Sequence, residues 1–290
     1  ELEWPEVIRR PGKRTQWQLG RWAELIYHHN PSFTYWLPSL TGTPTVSSIH
    51  TWVSRTDGRL TWRDRVKRLV LRRFHCIANS RATARSLSGY PVVIENAYDD
   101  AVFTNRTPWN KRHGAAFVGR LVSDKGVFTA LEALAESEKR RAPIPIKIIG
   151  SGPEESPLKQ QAKVLGLDAT FHGRLTPEQV AAELNGVKYL LIPSRWQEPF
   201  GIVALEGIAC GCIPLGTNQG GLVDAIGKCG PLFPKGAAAS LAEELMKLEF
   251  DPEYANDYRQ HHAAHLAAHS PETVADRYLE VFEKALKRRS

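Results

Sequence analysis

Glu198 and Glu206 stand eight positions apart in the run PSRWQEPFGIVALE, residues 193–206. The first follows an apolar, β-branched stretch and sits in a loop; the second lies inside the helix that comes next. Between them Phe200-Gly201-Ile202-Val203 reads as a helix N-terminus, whose unpaired amides and dipole attract an anion. Gly201 lets a ligand come close to the backbone. Carboxylates accept hydrogen bonds from hydroxyls and cannot bind phosphate, so two of them beside an anion site suit a ligand that carries both hydroxyls and phosphates. The phosphates also need cations. Arg120 comes just after the apolar run Ala115–Val118, and Lys125 just before the next helix, in Asp124-Lys125-Gly126. An arginine offers phosphate a planar fork and a lysine a point charge.

Parallel strands alternating with helices are needed to position these groups. In the second part of the chain the apolar runs Ala115–Val118, Ile144–Ile149, Ala169–His172, Tyr189–Ile192 and Ile213–Leu215 read as strands. Helical patterns cover Gly126–Glu138, Pro157–Leu165, Thr176–Leu184, Ile202–Cys210, Ser240–Leu248 and Pro271–Leu286, and Gly221–Ile226 continues the alternation. Thr176-Pro177-Glu178 places a hydroxyl at the cap and proline at the first helical position. This is a doubly wound α/β pattern, in which ligands sit beyond the carboxyl ends of the strands. The first part is less regular: strands at Glu24–His28, Thr45–His50, Cys76–Asn79 and Val92–Glu95, with helices at Thr61–Phe74 and Arg81–Leu87. Asn96 to Asn110 has the polar, proline-containing character of a linker.

Four motifs in this order, GRL…DKG, EPFGIVALE, ACGCIPLGTNQGG and the strand–helix alternation around them, resemble the donor domain of the retaining glycosyltransferases of family four, which have the two-domain GT-B fold of two Rossmann-like domains. The resemblance covers residues 114–286. It implies that Arg120 and Lys125 hold the donor diphosphate, helped by the amides around Gly201, Ile202 and Val203. It implies that Glu198 and Phe200 contact the transferred sugar, that Glu206 binds the ribose, and that Gly173-Arg174-Leu175 cradles the nucleobase. The stretch Pro44–His50 is similar to the family strand that ends in a histidine near the donor sugar, so His50 joins Glu198 as a candidate catalytic residue, although a lone histidine after a strand is also a common structural feature. The family opens with a strand, a glycine-rich loop and a helix that have no equivalent here before Trp22, so the first domain is expected to be reduced at its start. The domains expected are an acceptor-side domain over 1–110, a donor-binding domain over 111–270, and a C-terminal helix over 271–290 that packs back toward the first domain.

The reaction implied is hexosyl or related transfer from a UDP-, GDP- or ADP-sugar to a hydroxyl of an unidentified acceptor, in glycan, polysaccharide or glycolipid synthesis, with retention. The alternative is a nucleotide-sugar-binding protein without turnover. No DxD motif offers a carboxylate pair for a metal-bound diphosphate, and neither metal nor other cofactor is expected. His261, His262, His265 and His269 read as a surface helix rather than a metal site. Cys76, Cys210, Cys212 and Cys229 form no CxxC pair, and a reduced, cytoplasmic protein is expected. No apolar run reaches the roughly 18 residues of a membrane span. Charge is uneven: residues 1–113 hold 18 Lys and Arg against 9 Asp and Glu, residues 114–290 hold 20 against 22. No nucleic-acid motif accompanies the basic part. Its helix Thr61–Phe74 carries Trp62, Val66, Leu69, Val70 and Phe74 on one side and arginines elsewhere. The expectation is that the apolar side packs on the sheet; the alternative is peripheral docking at an anionic membrane, the inner face of the cell membrane.

Overall fold

The computed structural model of the chain describes residues 10–30, 32, 36–53, 61–87, 89–139 and 143–287. It divides into two compact units, residues 1–94 with 276–290, and residues 95–275.

The first unit begins with helix α1 (Lys13–Trp22), whose polar composition hides it from a hydrophobic-periodicity reading. Its four strands, β1 (Ile26–His29), β2 (Thr45–Ile49), β3 (His75–Ala78) and β4 (Val92–Val93), form one parallel sheet in sequence order. All five residues of β2 are buried, as a strand inside a sheet covered on both faces requires. Helix α2 (Trp62–Leu71) starts at a capping box in which Thr61 and Asp64 satisfy each other's amides. It stops at Leu71, short of the Phe74 expected, because the amides of Arg73 and Phe74 turn back to the carbonyls of Val70 and Leu71 and the chain enters β3. Helix α3 (Arg81–Ser86) has a second capping box, from Ser80 and Thr83. Ile49, Val53, Leu71 and Cys76 form the core, with Phe74 and Leu87 against it.

In the second unit β5 (Ala115–Val118), β6 (Ile146–Ile149), β7 (Ala169–Gly173), β8 (Tyr189–Ile192), β9 (Ile213–Thr217) and β10 (Leu232–Phe233) make a parallel sheet ordered β10-β9-β8-β5-β6-β7. Between and after them run α4 (Val127–Lys139), α5 (Glu155–Val164), α6 (Pro177–Asn185), α7 (Val203–Ala209), α8 (Leu222–Ile226), α9 (Ala238–Phe250), α10 (Pro252–Arg259) and α11 (His262–Ala268). The strands alternate their side chains between two cores. Ala115, Phe117, Ile146, Ile148, Tyr189 and Leu191 meet α4, α5 and α9 on one face. Ala116, Ile149, Leu190 and Ile192 meet α6, α7 and α8 on the other. Two Rossmann-like parallel sheets in one chain are the α/β architecture expected.

Residues 95–110 read as linker in the sequence, yet they fold with the second unit. Phe103 is buried in its core, the Arg106 amide donates to Asn185 Oδ1 at 2.7 Å, and Asn185 Nδ2 returns a bond to the Thr104 carbonyl at 2.9 Å. The last helix, α12 (Pro271–Lys287), ends within the first unit. There the Arg277 guanidinium donates to the Val93 carbonyl at 2.7 Å, and Tyr278 and Phe282 meet the Tyr27 ring edge-on. Residues 288–290 of the expected helix lie outside the described residues. The late histidines are not a surface row. His269 is buried, its Nδ1 facing the His265 carbonyl at 2.7 Å and its Nε2 the Glu95 carboxylate at 2.9 Å. His265 Nε2 lies 2.9 Å from the Ala225 carbonyl. The four thiols are buried and pushed up, Cys76 to about 11 and the others to about 12, because burial disfavours the thiolate. Among the described residues no helix is long and apolar enough to cross a membrane.

Candidate active site

The chain builds outward from β5 through β6 to β7, then returns to β8 on the other side of β5. The crevice at such a reversal, beyond the carboxyl ends of the strands, is where an open α/β sheet binds its ligand. Every residue singled out in the second unit leaves the sheet at these ends or begins the helix that follows.

On the β5–β6–β7 side the exits of three strands line a cavity of about 450 Å³. Arg120 comes from the first, Gly150 and Ser151 from the second, Arg174 and Leu175 from the third, and none of the nine lining residues is acidic. The exits sit this close because Gly150 has φ +136°, and a Cβ there would lie 1.8 Å from the Gly119 carbonyl oxygen. Its amide donates to the Gly173 carbonyl at 2.7 Å, and the Leu121 amide donates to the Ser151 carbonyl at 3.0 Å. The result is an apolar floor with two exposed guanidinium groups at its rim.

On the β5–β8 side Lys125 reaches Glu198, 73 residues further on. Gly126, at φ +70°, passes so near β8 that a Cβ would stand 2.0 Å from the Pro193 carbonyl oxygen. The amides of Arg195 and Trp196 donate to the Asp124 carbonyl at 2.7 and 3.1 Å. Lys125 Nζ then lies 2.5 Å from Glu198 Oε1, and the Ser194 hydroxyl donates to the same oxygen at 2.6 Å. Glu198 is 8% exposed. Two donors on one oxygen hold the carboxylate in a fixed orientation with Oε2 unclaimed among the described hydrogen bonds. The ammonium has three donors, so it can serve Glu198 and a phosphate together. The loop after β9 fastens this segment from below. Gln219 Nε2 donates to the carbonyls of Ser194 and Trp196 at 2.8 and 3.3 Å, Thr217 Oγ1 to that of Ser194 at 3.0 Å, and the Gly221 amide to that of Glu198 at 2.7 Å.

Helix α7 starts one residue later than expected, at Val203, with Gly201 at φ +101° turning the chain into it. The Phe200 side chain is buried in the core, 6.1 Å from the His269 ring. What Phe200 can offer a ligand is its backbone. Glu206 lies in the first turn of α7 and is half-buried. Burial, reinforced by the Asp99 carboxylate, pushes its carboxyl up to about 7. Ser194, Gln219 and Asp99 were not singled out in the sequence. Ser194 and Gln219 stand inside the motifs that were, so their polarity between glycines and apolar runs was the available signal; Asp99 gave none.

His50 belongs to the first unit, at the carboxyl end of β2. Its ring stacks on His29 with centroids 4.5 Å apart, its Nε2 lies 3.5 Å from the Tyr278 hydroxyl, and its amide donates to Asn30 Oδ1 at 2.7 Å.

A family model described as Glycosyl transferases group 1 matches residues 103–264. The chain is similar to the glycogen synthase of Mycobacterium tuberculosis, 34% identical over 55% of this chain and 40% of that protein. It is also similar to the D-inositol 3-phosphate glycosyltransferase of an Arthrobacter species, 29% identical over 92% of this chain and 72% of that one. The fold matches that of Anabaena HepE in a complex with UDP, with a TM-score of 0.81 and 20% identity over 96% of this chain and 86% of that one. The chain thus spans about 40% of the glycogen synthase it matches.

Proposed function

The chain belongs to the glycosyl transferases group 1 family, and from that premise we propose that it moves a sugar from a nucleoside-diphosphate donor to an acceptor hydroxyl, with retention of configuration, as a family-four enzyme of the glutamate-x7-glutamate type. The observation that carries the reading is the convergence, at the reversal point of the six-stranded sheet, of cations from the exits of β5 and β7 with the Lys125–Glu198 pair.

In this reading the base lies on the apolar floor beside Leu175, and Arg174 stacks or bonds at its edge. Glu206 accepts hydrogen bonds from the ribose hydroxyls. Arg120, Lys125 and the first amides of the turn at Gly201, Ile202 and Val203 face the diphosphate. Glu198, held by Lys125 and Ser194, accepts hydroxyls of the transferred sugar through Oε2. As the bond from the anomeric carbon to the phosphate oxygen breaks, negative charge grows on the diphosphate where these cations stand, and stabilising that charge lowers the barrier. The acceptor oxygen bonds to the anomeric carbon on the same face, and its proton passes to the departing phosphate oxygen. No resident metal enters this scheme. UDP is the first nucleotide to test, since the similar HepE structure holds it.

A thermal-shift panel of UDP, GDP, ADP and their sugar conjugates tests the donor site, because a ligand that binds only the folded state raises the melting temperature. One base family is expected to stabilise wild type and to lose most of its effect in Glu206→Ala and Arg120→Ala. No shift with any nucleotide would overturn the reading. Retention is read from the anomeric coupling of the product by NMR, and an inverted product would refute it.

A further inference from the structure

The first unit concentrates both positive charge and exposed apolar surface. Over residues 1–94 and 276–290 there are 20 Lys and Arg against 9 Asp and Glu, while residues 95–275 hold 18 against 22. Of the fourteen large apolar side chains that stand exposed among the described residues, ten are in this smaller unit, including all three tryptophans, Trp17, Trp22 and Trp62. A solvated face explains the charge alone. It does not explain tryptophans among the arginines.

The distribution along the helices is specific. The sequence led us to expect Trp62 and Leu69 to pack on the sheet. Instead they are 70% and 62% exposed. Seven residues apart, they share one face of α2 with Arg65 and Arg72, which are also exposed. The residues buried or half-buried from α2 are Leu71, Val66 and Val70. Among the described residues no carboxylate pairs with Arg65 or Arg72, and the Arg63 guanidinium lies over the Trp62 ring at 5.5 Å. Helix α1 repeats the pattern, with Arg14, Trp17 and Arg21 on one exposed face and Trp22, 83% exposed, at its end. The two helices are joined by the 3-10 turn Leu37–Leu40. Gly20 of α1 packs on Pro38, where a Cβ would come within 2.7 Å, and Leu40 lines a cavity of about 490 Å³ together with Val70, Arg73 and Phe74.

We propose that the outer faces of α1 and α2 form a docking surface for an anionic lipid membrane, with the arginines at the headgroups and Trp17, Trp22, Trp62 and Leu69 in the interface. Charge complementarity draws the unit to a negative surface. The apolar side chains select lipid over a soluble polyanion, because the amphipathic indole settles at the level where headgroups give way to acyl chains. Burial of that apolar area adds a component that salt does not screen. This inference does not depend on which donor the second unit takes.

The test is flotation of the whole chain with phosphatidylcholine vesicles, with and without phosphatidylglycerol, at low and high salt. Wild type is expected to float with the anionic vesicles and not with the neutral ones. Arg65→Gln with Arg72→Gln should weaken binding about fivefold per arginine removed. Trp62→Ala with Leu69→Ala should weaken it at both salt concentrations, and brominated phosphatidylglycerol should quench tryptophan fluorescence in wild type more than in that variant. All four positions are exposed, and an unchanged melting curve confirms that each variant folds. Absence of binding to anionic vesicles overturns the proposal. So does binding that the Trp62/Leu69 variant retains in full and that heparin abolishes at equal charge, since that describes a polyanion site.

Discussion

Replacing Glu206 by glutamine should stabilise the protein at alkaline pH and leave it nearly unchanged in acid. Burial in the first turn of α7 and the Asp99 carboxylate together raise the Glu206 carboxyl from 4.5 to about 7, and no described hydrogen bond or cation offsets that penalty. The folded value lies above the unfolded one, so between pH 4.5 and 7 the folded chain holds a proton that the unfolded chain has lost. Stability from this group is therefore complete below about 4.5, falls as pH rises to about 7, and stays low beyond it. The interval between the two values corresponds to about 3 kcal/mol. Glutamine resembles the protonated acid and carries no such dependence. The variant should melt with wild type near pH 4.5 and, at about 2–4 °C per kcal/mol, roughly 6–10 °C above it at pH 8. Taking the difference between the two proteins at each pH cancels every other titrating group. A gap that is equal at both pH values, or that favours wild type at pH 8, would refute the reasoning.

The same group ties stability to binding. A ribose diol donates to the carboxylate and so favours the ionised form, and binding must then expel a proton at low pH. Affinity for UDP-glucose, whose diphosphate stays ionised across the range, should rise up to about tenfold per pH unit below 7 and level off above it. Glu206→Gln should bind weakly and without that slope. Isothermal titration at pH 5.5, 6.5 and 8 reads both.

Three further substitutions test the framework around the site. The Arg112 guanidinium is buried and donates to the carbonyls of Thr107, Leu184, Val187 and Cys210 and to Asn105 Oδ1, so Arg112→Met should cost about 3–5 kcal/mol in urea unfolding; Arg112→Lys should recover little, lacking the fork. Gly150→Ala sets a Cβ 1.8 Å from a carbonyl oxygen at φ +136° and should cost about 3 kcal/mol or more, with loss of the nucleotide-induced thermal shift. Lys125→Ala alone leaves the buried Glu198 carboxylate without its cation. It should destabilise more than the same change made in Glu198→Gln, with a coupling of about 1–3 kcal/mol in a double-mutant cycle.

What the sequence disclosed follows from what each signal depends on. The strands of the second unit were legible because residues buried on both faces read as continuous apolar runs: β5 and β8 fall on the expected residues, Ala115–Val118 and Tyr189–Ile192. Helix ends shifted by a residue or two, as local capping decides them. Helix α1 was not legible, because KRTQWQLGRW turns only Gln16 and Gly20 fully inward. Two-residue β10 and the short α10 and α11 carry too few residues for a period. Residues 95–110 looked like linker because their place is fixed by hydrogen bonds to Asn185 and by the single buried Phe103, neither of which leaves a periodic trace. In α2 the error had a different source: helical spacing correctly put Trp62, Val66 and Leu69 on one side, but spacing does not say which side meets the sheet.

The buried charges of the second unit separate structural residues from those kept for a ligand. Arg112 is surrounded by carbonyl oxygens and Asn105, and every one of its nitrogens has an acceptor within the protein. Nothing is left for a ligand to do there. Glu198 is half committed: Oε1 takes Lys125 and Ser194, while the other oxygen keeps its capacity. Glu206 has a neighbouring carboxylate and no described donor. A buried polar group without partners costs folding free energy, and a fold retains such a group where something outside the protein completes it. On that criterion the order Arg112, Glu198, Glu206 runs from framework to seat, and the strongest dependence on ligand belongs to the residue whose removal should most stabilise the empty protein. A variant series in which Glu206→Gln raised the melting temperature without weakening nucleotide binding would break this link between an uncompensated carboxylate and its ligand.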